Sequence, residues 1–234
     1  MNTTNRDNGV WHPLTRGINL QSVMRRVYVW MGLGTLLTAA VAYVTVNSAL
    51  INLTANPVIL IGALVAELGL VMGISFGFNR ISALTATMLF LVYAALNGFT
   101  LSVVLLAFTT ASVVGAFVAT GALFGAMSII GYTTRVDLSK LGTFLMMALI
   151  GLLIAMVVNL FISSGPLDLI ISVVGVLLFT ALTAYDTQRI GRMAAQMDAQ
   201  GEAGAKLGIF GALKLYLDFI NMFLFMLRLI GRRR

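Results

Sequence analysis

The chain lacks cysteine altogether and has only three prolines, Pro13, Pro57 and Pro166. Without cysteine it cannot form disulfides or thiolate metal sites. No proline lies inside a long apolar run, so the helices that such runs predict have no proline at which to kink. Charged residues make up only 10% of the 234 residues, whereas a soluble domain contains about 25%. This scarcity of charge excludes a water-soluble globule.

Long apolar runs account for most of the chain. Hydrophobic residues make up 59% of it, and the mean hydropathy is +0.99. Seven runs have the roughly 17–25 residues that a membrane-spanning helix needs, at 27–50, 58–78, 83–107, 111–131, 141–162, 167–185 and 209–230. We therefore predict an all-α integral membrane protein with seven transmembrane helices. It would consist of a polar N-terminal tail (1–26), a membrane domain (27–230) and a basic C-terminal tail (231–234).

The net charge of +7 could suggest a nucleic-acid partner, but the positions of the basic residues indicate otherwise. They lie at the ends of the apolar runs, and the loops 51–57, 108–110 and 163–166 contain no lysine or arginine. Basic residues that crowd alternate loops mark the cytoplasmic side of a membrane protein. We therefore predict a multi-pass protein of a cell membrane, with the lipid bilayer as its partner, a cytoplasmic N-terminus and no nucleic acid. The cytoplasmic set is Arg6, Arg16, Arg25, Arg26, Arg80, Arg135, Lys140, Arg189, Arg192, Lys206 and Lys214.

The C-terminal arginines do not follow this pattern. Arg228 and the arginines at 232–234 fall on the opposite side if the seventh run crosses the membrane completely. A last helix that enters and turns back would place them with the other basic residues. The segment 216–228 contains no proline or glycine on which to turn. We therefore expect seven full crossings, with the re-entrant helix as the alternative.

Gly121 and Gly125 have the small-xxx-small spacing that allows membrane helices to approach closely. We interpret this pair as an ordinary packing contact.

Four ionisable residues lie within or at the ends of the apolar runs, Glu67, Arg80, Asp186 and Asp218. A charge at the centre of a spanning helix costs about 2.5–3.5 kcal/mol on insertion scales, so such residues are functional candidates. Glu67 follows Pro57 by ten residues, which is about 15 Å along a helix and close to the midplane. Two interpretations stay open for Glu67, a structural acid bonded to a neighbouring helix or a residue of an ion pathway.

The two aspartates have matched positions relative to basic residues. Asp186 precedes Arg189 by three residues, and Asp218 follows Lys214 by four. Long basic side chains extend to the membrane interface, so both aspartates are expected about one helical turn inside it. The matched depth allows the two carboxyls to meet.

Each aspartate also has a polar neighbour on its own helical face. Thr183 lies three residues before Asp186, and Asn221 lies three residues after Asp218. If the two helices are adjacent, the aspartates would share a proton and titrate as a coupled pair. The alternative is two separate interface residues, each solvated or paired with a nearby base.

Three stretches carry a family resemblance: "TALTAYDTQRI" on the sixth run, "LYLDFINMFLFMLRLIG" on the seventh and "GYTTRVDLSKLG" between the fourth and fifth. The first two resemble paired motifs of the Bax-inhibitor family, the transmembrane Bax inhibitor motif proteins, and the third resembles its bacterial members. The similarity covers nearly the whole chain. It implies a bacterial cytoplasmic membrane and a fold in which six helices wrap around a central C-terminal helix.

The resemblance also implies roles for individual residues. Asp186 and Asp218 would form a pH-sensing, gating pair near the cytoplasmic end of a calcium-permeable path. Arg80 matches an arginine that can pair with the aspartate of the sixth helix. Hard cations prefer oxygen ligands, and an ionised pair would offer two carboxylates to a transient Ca²⁺. The predicted function is a pH-sensitive leak for calcium or another cation, with no cofactor and no enzymatic activity.

Two other functions remain as alternatives. The family includes regulators, so the chain could bind a membrane protease, a cell-death protein or another membrane protein partner. An intramembrane aspartyl protease also uses two aspartates on adjacent helices. Its second aspartate should lie in a G-x-G-D sequence, and Asp218 lies in "YLD" instead, which counts against a protease.

Overall fold

The computed structural model describes residues 13–78, 80–196 and 201–233, with side chains from residue 20 onward. Seven of the helices in this part of the chain are long and apolar enough to cross a membrane. The prediction of an all-α membrane protein with seven spanning helices is therefore confirmed. The helices are α1 (Pro13–Val46), α2 (Ile51–Thr54), α3 (Pro57–Gly77), α4 (Ala83–Leu106), α5 (Thr110–Thr133), a 3₁₀ turn (Leu138–Leu141), α6 (Gly142–Ile162), α7 (Gly165–Gln196) and α8 (Glu202–Ile230).

Some helices extend beyond the apolar runs that predicted them. Helix α1 begins at Pro13, inside the segment predicted as a polar tail, and α7 continues to Gln196. A helix satisfies its own backbone hydrogen bonds and can therefore continue into water with polar side chains. Residues 1–12 of the tail and Arg234 lie outside the described residues.

Polar caps set several helix starts. Asn56 accepts a hydrogen bond from the Val58 amide, and Pro57 occupies the first turn of α3. Ser82 accepts from the Thr85 amide at the start of α4. Such caps satisfy amides that a helix start leaves without partners, so the chain can reverse direction in short connections.

Helix α8 lies at the centre of the bundle. In the apolar 18-residue segment of α8, 67% of the residues are buried, compared with 50% for α7 and 11–39% for the other five spanning helices. It packs against α1, α4, α5 and α7. Its aromatic rings meet those of α4 and α5 edge to face: Tyr216 contacts Phe90, and Phe219 contacts Phe124. Helix α3 packs mainly on α4, and α6 packs mainly on α7, so the outer ring is uneven.

Helices α3 and α6 present large apolar side chains outward. Phe76 is 81% exposed and Phe161 is 86% exposed. Such a continuous apolar surface is stable in hydrocarbon and unstable in water. The exposed faces therefore fit a lipid environment.

Helix α8 crosses the bundle completely. At its start, Glu202 Oε1 lies 3.4 Å from the Ala83 amide of α4. At its end, the Thr109 amide donates to the Arg232 carbonyl at 3.1 Å, and Arg228 Nη1 lies 3.9 Å from Asp168 Oδ1. The two ends of α8 thus meet opposite ends of α4, which excludes the re-entrant alternative. We call the end of the bundle that contains the start of α8 and the end of α7 the basic end.

Site-directed labelling can test which end faces the cytoplasm, because the chain has no cysteine of its own. Ala49→Cys and Arg232→Cys place a thiol on the end opposite the basic end, and Ala203→Cys places one on the basic end. The positive-inside rule predicts that a membrane-impermeant maleimide labels the first two variants in intact cells and labels Ala203→Cys only after lysis. The unaltered chain is the control for background. Labelling of Ala203→Cys alone in intact cells would reverse the predicted orientation.

Candidate functional site

Asp186 is a buried carboxylate that pairs with a lysine of the central helix. It lies on α7 and is 5% exposed. Lys214 of α8 places its Nζ 3.4 Å from Asp186 Oδ2 and 3.5 Å from Oδ1. The same Nζ lies over the Phe210 ring, 5.9 Å from its centroid. Lys214, which in the sequence marks the membrane interface, is therefore also the ion-pair partner of Asp186.

Asp218 of α8 is a second buried carboxyl, and it lies beside this ion pair. It is 5% exposed, and its Oδ2 is buried with no hydrogen-bond partner in the described part of the chain. Its carboxyl interacts electrostatically with Asp186 and with Lys214. The structure thus brings the two aspartates together on facing helices, with a single lysine next to both.

Glycine allows the helices around the aspartates to pack this closely. A β-carbon at Gly131 of α5 would collide with the backbone carbonyl of Ala184, two residues before Asp186. On α8, a β-carbon at Gly211 would lie 2.8 Å from Val27 and 3.2 Å from Ile190. The absence of side chains at both glycines therefore fixes the separation of α5, α7 and α8 around the pair.

The polar neighbours predicted for the aspartates do not join them. The Thr183 hydroxyl is fully buried and donates to the Phe179 carbonyl at 2.7 Å. The Asn221 amide donates to the Leu217 carbonyl at 2.8 Å and faces a different cavity. Both side chains thus bond to their own helix.

Arg80 takes part in none of the salt bridges found among the described residues. It follows the end of α3 and is exposed. Helix α3 packs mainly on α4, and the salt-bridge partner of Asp186 within the described residues is Lys214. The sequence identifies Lys214 only as a marker of depth, although its position four residues before Asp218 places it on the same face of α8.

Glu67 lies in a second polar cluster near the middle of the bundle. It is 8% exposed. Its Oε1 accepts a hydrogen bond from the Thr100 hydroxyl at 2.7 Å, and its Oε2 accepts from the Asn97 amide at 3.3 Å. Both donors belong to α4, so the carboxyl joins α3 to α4.

This cluster continues through the central helix to α1. The Tyr216 hydroxyl lies 3.0 Å from Asn97 Oδ1 and 2.6 Å from the Thr38 hydroxyl. Thr38 also lies 2.8 Å from the Ala94 carbonyl. The hydrogen bonds therefore connect α1, α3, α4 and α8. Sequence reasoning missed Thr38 and Tyr216, because nothing in their spacing indicates that they meet Asn97.

A cavity of about 440 Å³ lies beside Glu67, between α3, α4 and α8. Glu67, Asn97, Thr100 and Asn221 supply most of its polar lining, and the rest is largely apolar. The aspartate pair does not line this cavity. The buried acids in the described part of the chain therefore fall into two sites, the aspartate pair near the basic end and the Glu67 cavity further inside.

The described residues contain no group of three or more His, Cys, Asp or Glu side chains that could hold a metal. A stable Ca²⁺ site needs six to eight oxygen ligands. Asp186 and Asp218 supply two carboxylates, which suits a transient contact with a cation better than a resident ion.

The loop between α5 and α6 is fastened to α7 just beyond Asp186. Gln188 donates to the Val136 carbonyl at 2.8 Å and accepts from the Leu138 amide at 2.9 Å. Arg192 Nη2 lies 2.6 Å from Asp137 Oδ1. The "GYTTRVDLSKLG" and "AYDTQRI" stretches thus bind each other and hold the end of α7 in place.

The ion pair between Arg192 and Asp137 does not respond to pH changes near neutrality. A hydrogen bond from the Ser139 amide, followed by one from Arg192, lowers the pKa of Asp137 to about 2. Because the pKa of Asp137 in the folded protein is below that of a free aspartate, its ionised carboxyl contributes its full stabilisation at any pH above the free-aspartate pKa. It is lost only as the pH falls toward about 2. Asp137 therefore stays ionised at every physiological pH.

Comparison with known proteins agrees with these motifs. The family model "Inhibitor of apoptosis-promoting Bax1" matches residues 20–234. The inner membrane protein YbhL of Escherichia coli (strain K12) is 47% identical over 218 residues, which cover 92% of this chain and 93% of that protein. A protein of Borreliella burgdorferi is 42% identical, with coverage of 90% and 92%. A membrane protein of Streptococcus pyogenes serotype M3 is 41% identical, with coverage of 92% and 94%. Because the family model spans nearly the whole chain and such relatives align over nine-tenths of it, the chain belongs to the Bax inhibitor family.

Proposed function

We propose that this multi-pass membrane protein is a pH-sensitive leak for cations, with Ca²⁺ as its substrate, and that Asp186 and Asp218 gate it. One observation supports this most directly. Among the described residues no group hydrogen-bonds to the buried Asp218 Oδ2, which lies beside a carboxylate already paired with the nearby lysine. An unsatisfied buried polar atom costs about 1–3 kcal/mol, and more when it is charged. A proton shared by the two carboxyls removes that cost, and so does a cation.

The charge of the pair then controls the packing of α7 against α8. With a proton on the pair, Lys214 balances the single remaining negative charge. When the proton leaves, two carboxylates share Lys214, with Arg189 as a further positive charge that acts on Asp186. Their repulsion then favours either separation of the helices or entry of a cation. Interfaces between packed helices change between discrete arrangements, so a change of one charge can select an open or a closed state.

The Glu67 cavity would supply the inner part of the path. Its acid and three amide or hydroxyl side chains offer oxygen atoms to a cation that has left water. Because neither aspartate lines this cavity, we assign the present arrangement to a closed state. Opening would join the two sites around α8, and movement of α3 in that step would bring Arg80 closer to α7.

Flux measurements on purified protein test the proposal. Proteoliposomes that contain a Ca²⁺ indicator should fill faster than protein-free liposomes, and a pH step across the range from about 5 to 8 should change the rate severalfold. The Arg80→Ala variant should shift the baseline rate and keep part of the pH response, because Arg80 is absent from the pair in the closed state. A rate equal to that of protein-free liposomes at every pH would exclude the leak.

A further inference from the structure

Helices α1 and α5 leave a groove between them near the basic end. Each packs against α7 and α8, and they have little contact with each other. The groove has a volume of about 460 Å³, within the range of ligand sites in proteins. On α1 it is lined by Met24, Arg25 and Tyr28, and on α5 by Gly125 and Ser128 among others. The lining on each helix recurs at three- and four-residue spacing, so one face of each helix forms a wall.

The walls combine a long apolar surface with a buried hydroxyl and an exposed guanidinium. The Ser128 hydroxyl is buried, and no described residue hydrogen-bonds to it. Arg25 is exposed and forms none of the salt bridges found among the described residues. A guanidinium at the mouth of an apolar groove suits a ligand with an anionic head and an apolar chain.

The depth of the groove indicates where that ligand comes from. Arg25 lies near the start of the first spanning segment, Leu20–Val46, and Tyr132 lies at the end of α5, so the mouth is level with lipid headgroups. Tyr132 also lines a smaller polar cavity of about 270 Å³ that contains Arg135 and the buried, unpartnered Thr187 hydroxyl. Basic pockets between transmembrane helices bind anionic lipid headgroups.

One of the two glycines of the "GALFG" stretch, Gly125, lines this groove. The spacing predicted a helix packed against them, and that prediction is wrong. A β-carbon built at Gly121 or Gly125 would meet no atom within 4 Å in the described structure. At Gly125 the missing side chain instead widens the groove. No described helix of this protein fills the space beside Gly125, and an acyl chain can occupy it.

We propose that this groove binds one anionic phospholipid from the leaflet at the basic end. Its phosphate lies at Arg25, and one acyl chain runs along Gly125 and Ser128. Charge complementarity favours an anionic headgroup over a zwitterionic one, because the mouth is basic and no described acidic side chain lines the groove.

Lipid titration monitored by native mass spectrometry tests this site on the full chain in mild detergent. Phosphatidylglycerol should bind with a stoichiometry of one and more tightly than phosphatidylcholine. Arg25→Gln should weaken phosphatidylglycerol binding about tenfold, because it removes the charged donor that faces the phosphate. Glycerol 3-phosphate, which has the headgroup charge without acyl chains, should not displace the lipid.

Gly125→Leu places a side chain in the groove, at a position where a β-carbon meets no described atom within 4 Å, and should abolish the bound lipid. Gly115→Leu is the matched control, because Gly115 lies on the same helix, is exposed and is equally free of contacts. Thermal unfolding checks that both variants fold as the wild type does. Equal binding by the two leucine variants, equal affinity for the two lipids, or displacement by glycerol 3-phosphate would each overturn the proposal.

Discussion

Asp218→Asn is expected to abolish the pH dependence of Ca²⁺ flux while the protein remains folded. An asparagine has nearly the shape of a protonated aspartate and cannot lose the proton. Since the described structure shows no hydrogen bond to Asp218 Oδ2 that the change would break, the variant should hold the flux at the level of the protonated state across the range from about pH 5 to 8. The measurement is the initial rate of Ca²⁺ entry into proteoliposomes as a function of pH.

Two further variants test whether the pH response belongs to the Asp186–Asp218 pair or to Glu67. Asp186→Asn should also flatten the pH profile, but it removes the partner of Lys214 and should lower stability more than Asp218→Asn does. Glu67→Gln is the matched control, because it changes the other buried acid and should keep the pH response. If Glu67→Gln flattened the profile while both asparagine variants kept it, the sensor would lie at the Glu67 cavity instead.

Infrared difference spectroscopy gives an independent view of the same pair. If Asp186 and Asp218 share a proton, a carboxyl band of the pair should disappear in either asparagine variant, since neither residue titrates alone. Two bands that are lost one at a time, each with an ordinary titration, would count against a shared proton.

Lys214→Met is expected to destabilise the protein by about 2 kcal/mol at neutral pH. Breaking a buried ion pair costs about 3–5 kcal/mol because it leaves a charge without a partner. The Lys214 side chain is 29% exposed, and solvent screening reduces the cost. The pair needs an ionised Asp186, so the loss should be complete above the pKa of that carboxyl and should shrink as the pH falls through it. Unfolding by denaturant in detergent, measured at several pH values, provides the comparison.

A double-mutant cycle shows whether the loss belongs to the ion pair. In the Asp186→Asn background, Lys214→Met should cost far less, because the charge that it leaves alone has already been removed. Lys214→Arg should retain much of the stability. Equal costs in both backgrounds would mean that Lys214 stabilises the fold through another contact, of which the Phe210 ring is the nearest candidate.

The features that depend on distance along one helix were predictable from sequence. Run length identified seven spans, and the spacing of Asp186 from Arg189 and of Asp218 from Lys214 gave two aspartates of similar depth. The absence of proline and glycine from 216–228 correctly favoured a complete last crossing. These inferences succeed because the rise per residue of a helix is constant and the cost of charge in hydrocarbon is large.

The features that depend on how each helix is rotated and placed beside its neighbours were decided only by the tertiary structure. Asn221 shares a helix with Asp218 yet faces the Glu67 cavity, and Asp186 pairs with Lys214 and not with Arg80. The fit of Gly131 against the Ala184 backbone likewise sets how closely α5 lies to α7. These placements depend on contacts between residues that are far apart in the sequence. In a bilayer the outward faces of the helices are also apolar, so hydrophobic periodicity no longer indicates which side of a helix faces inward.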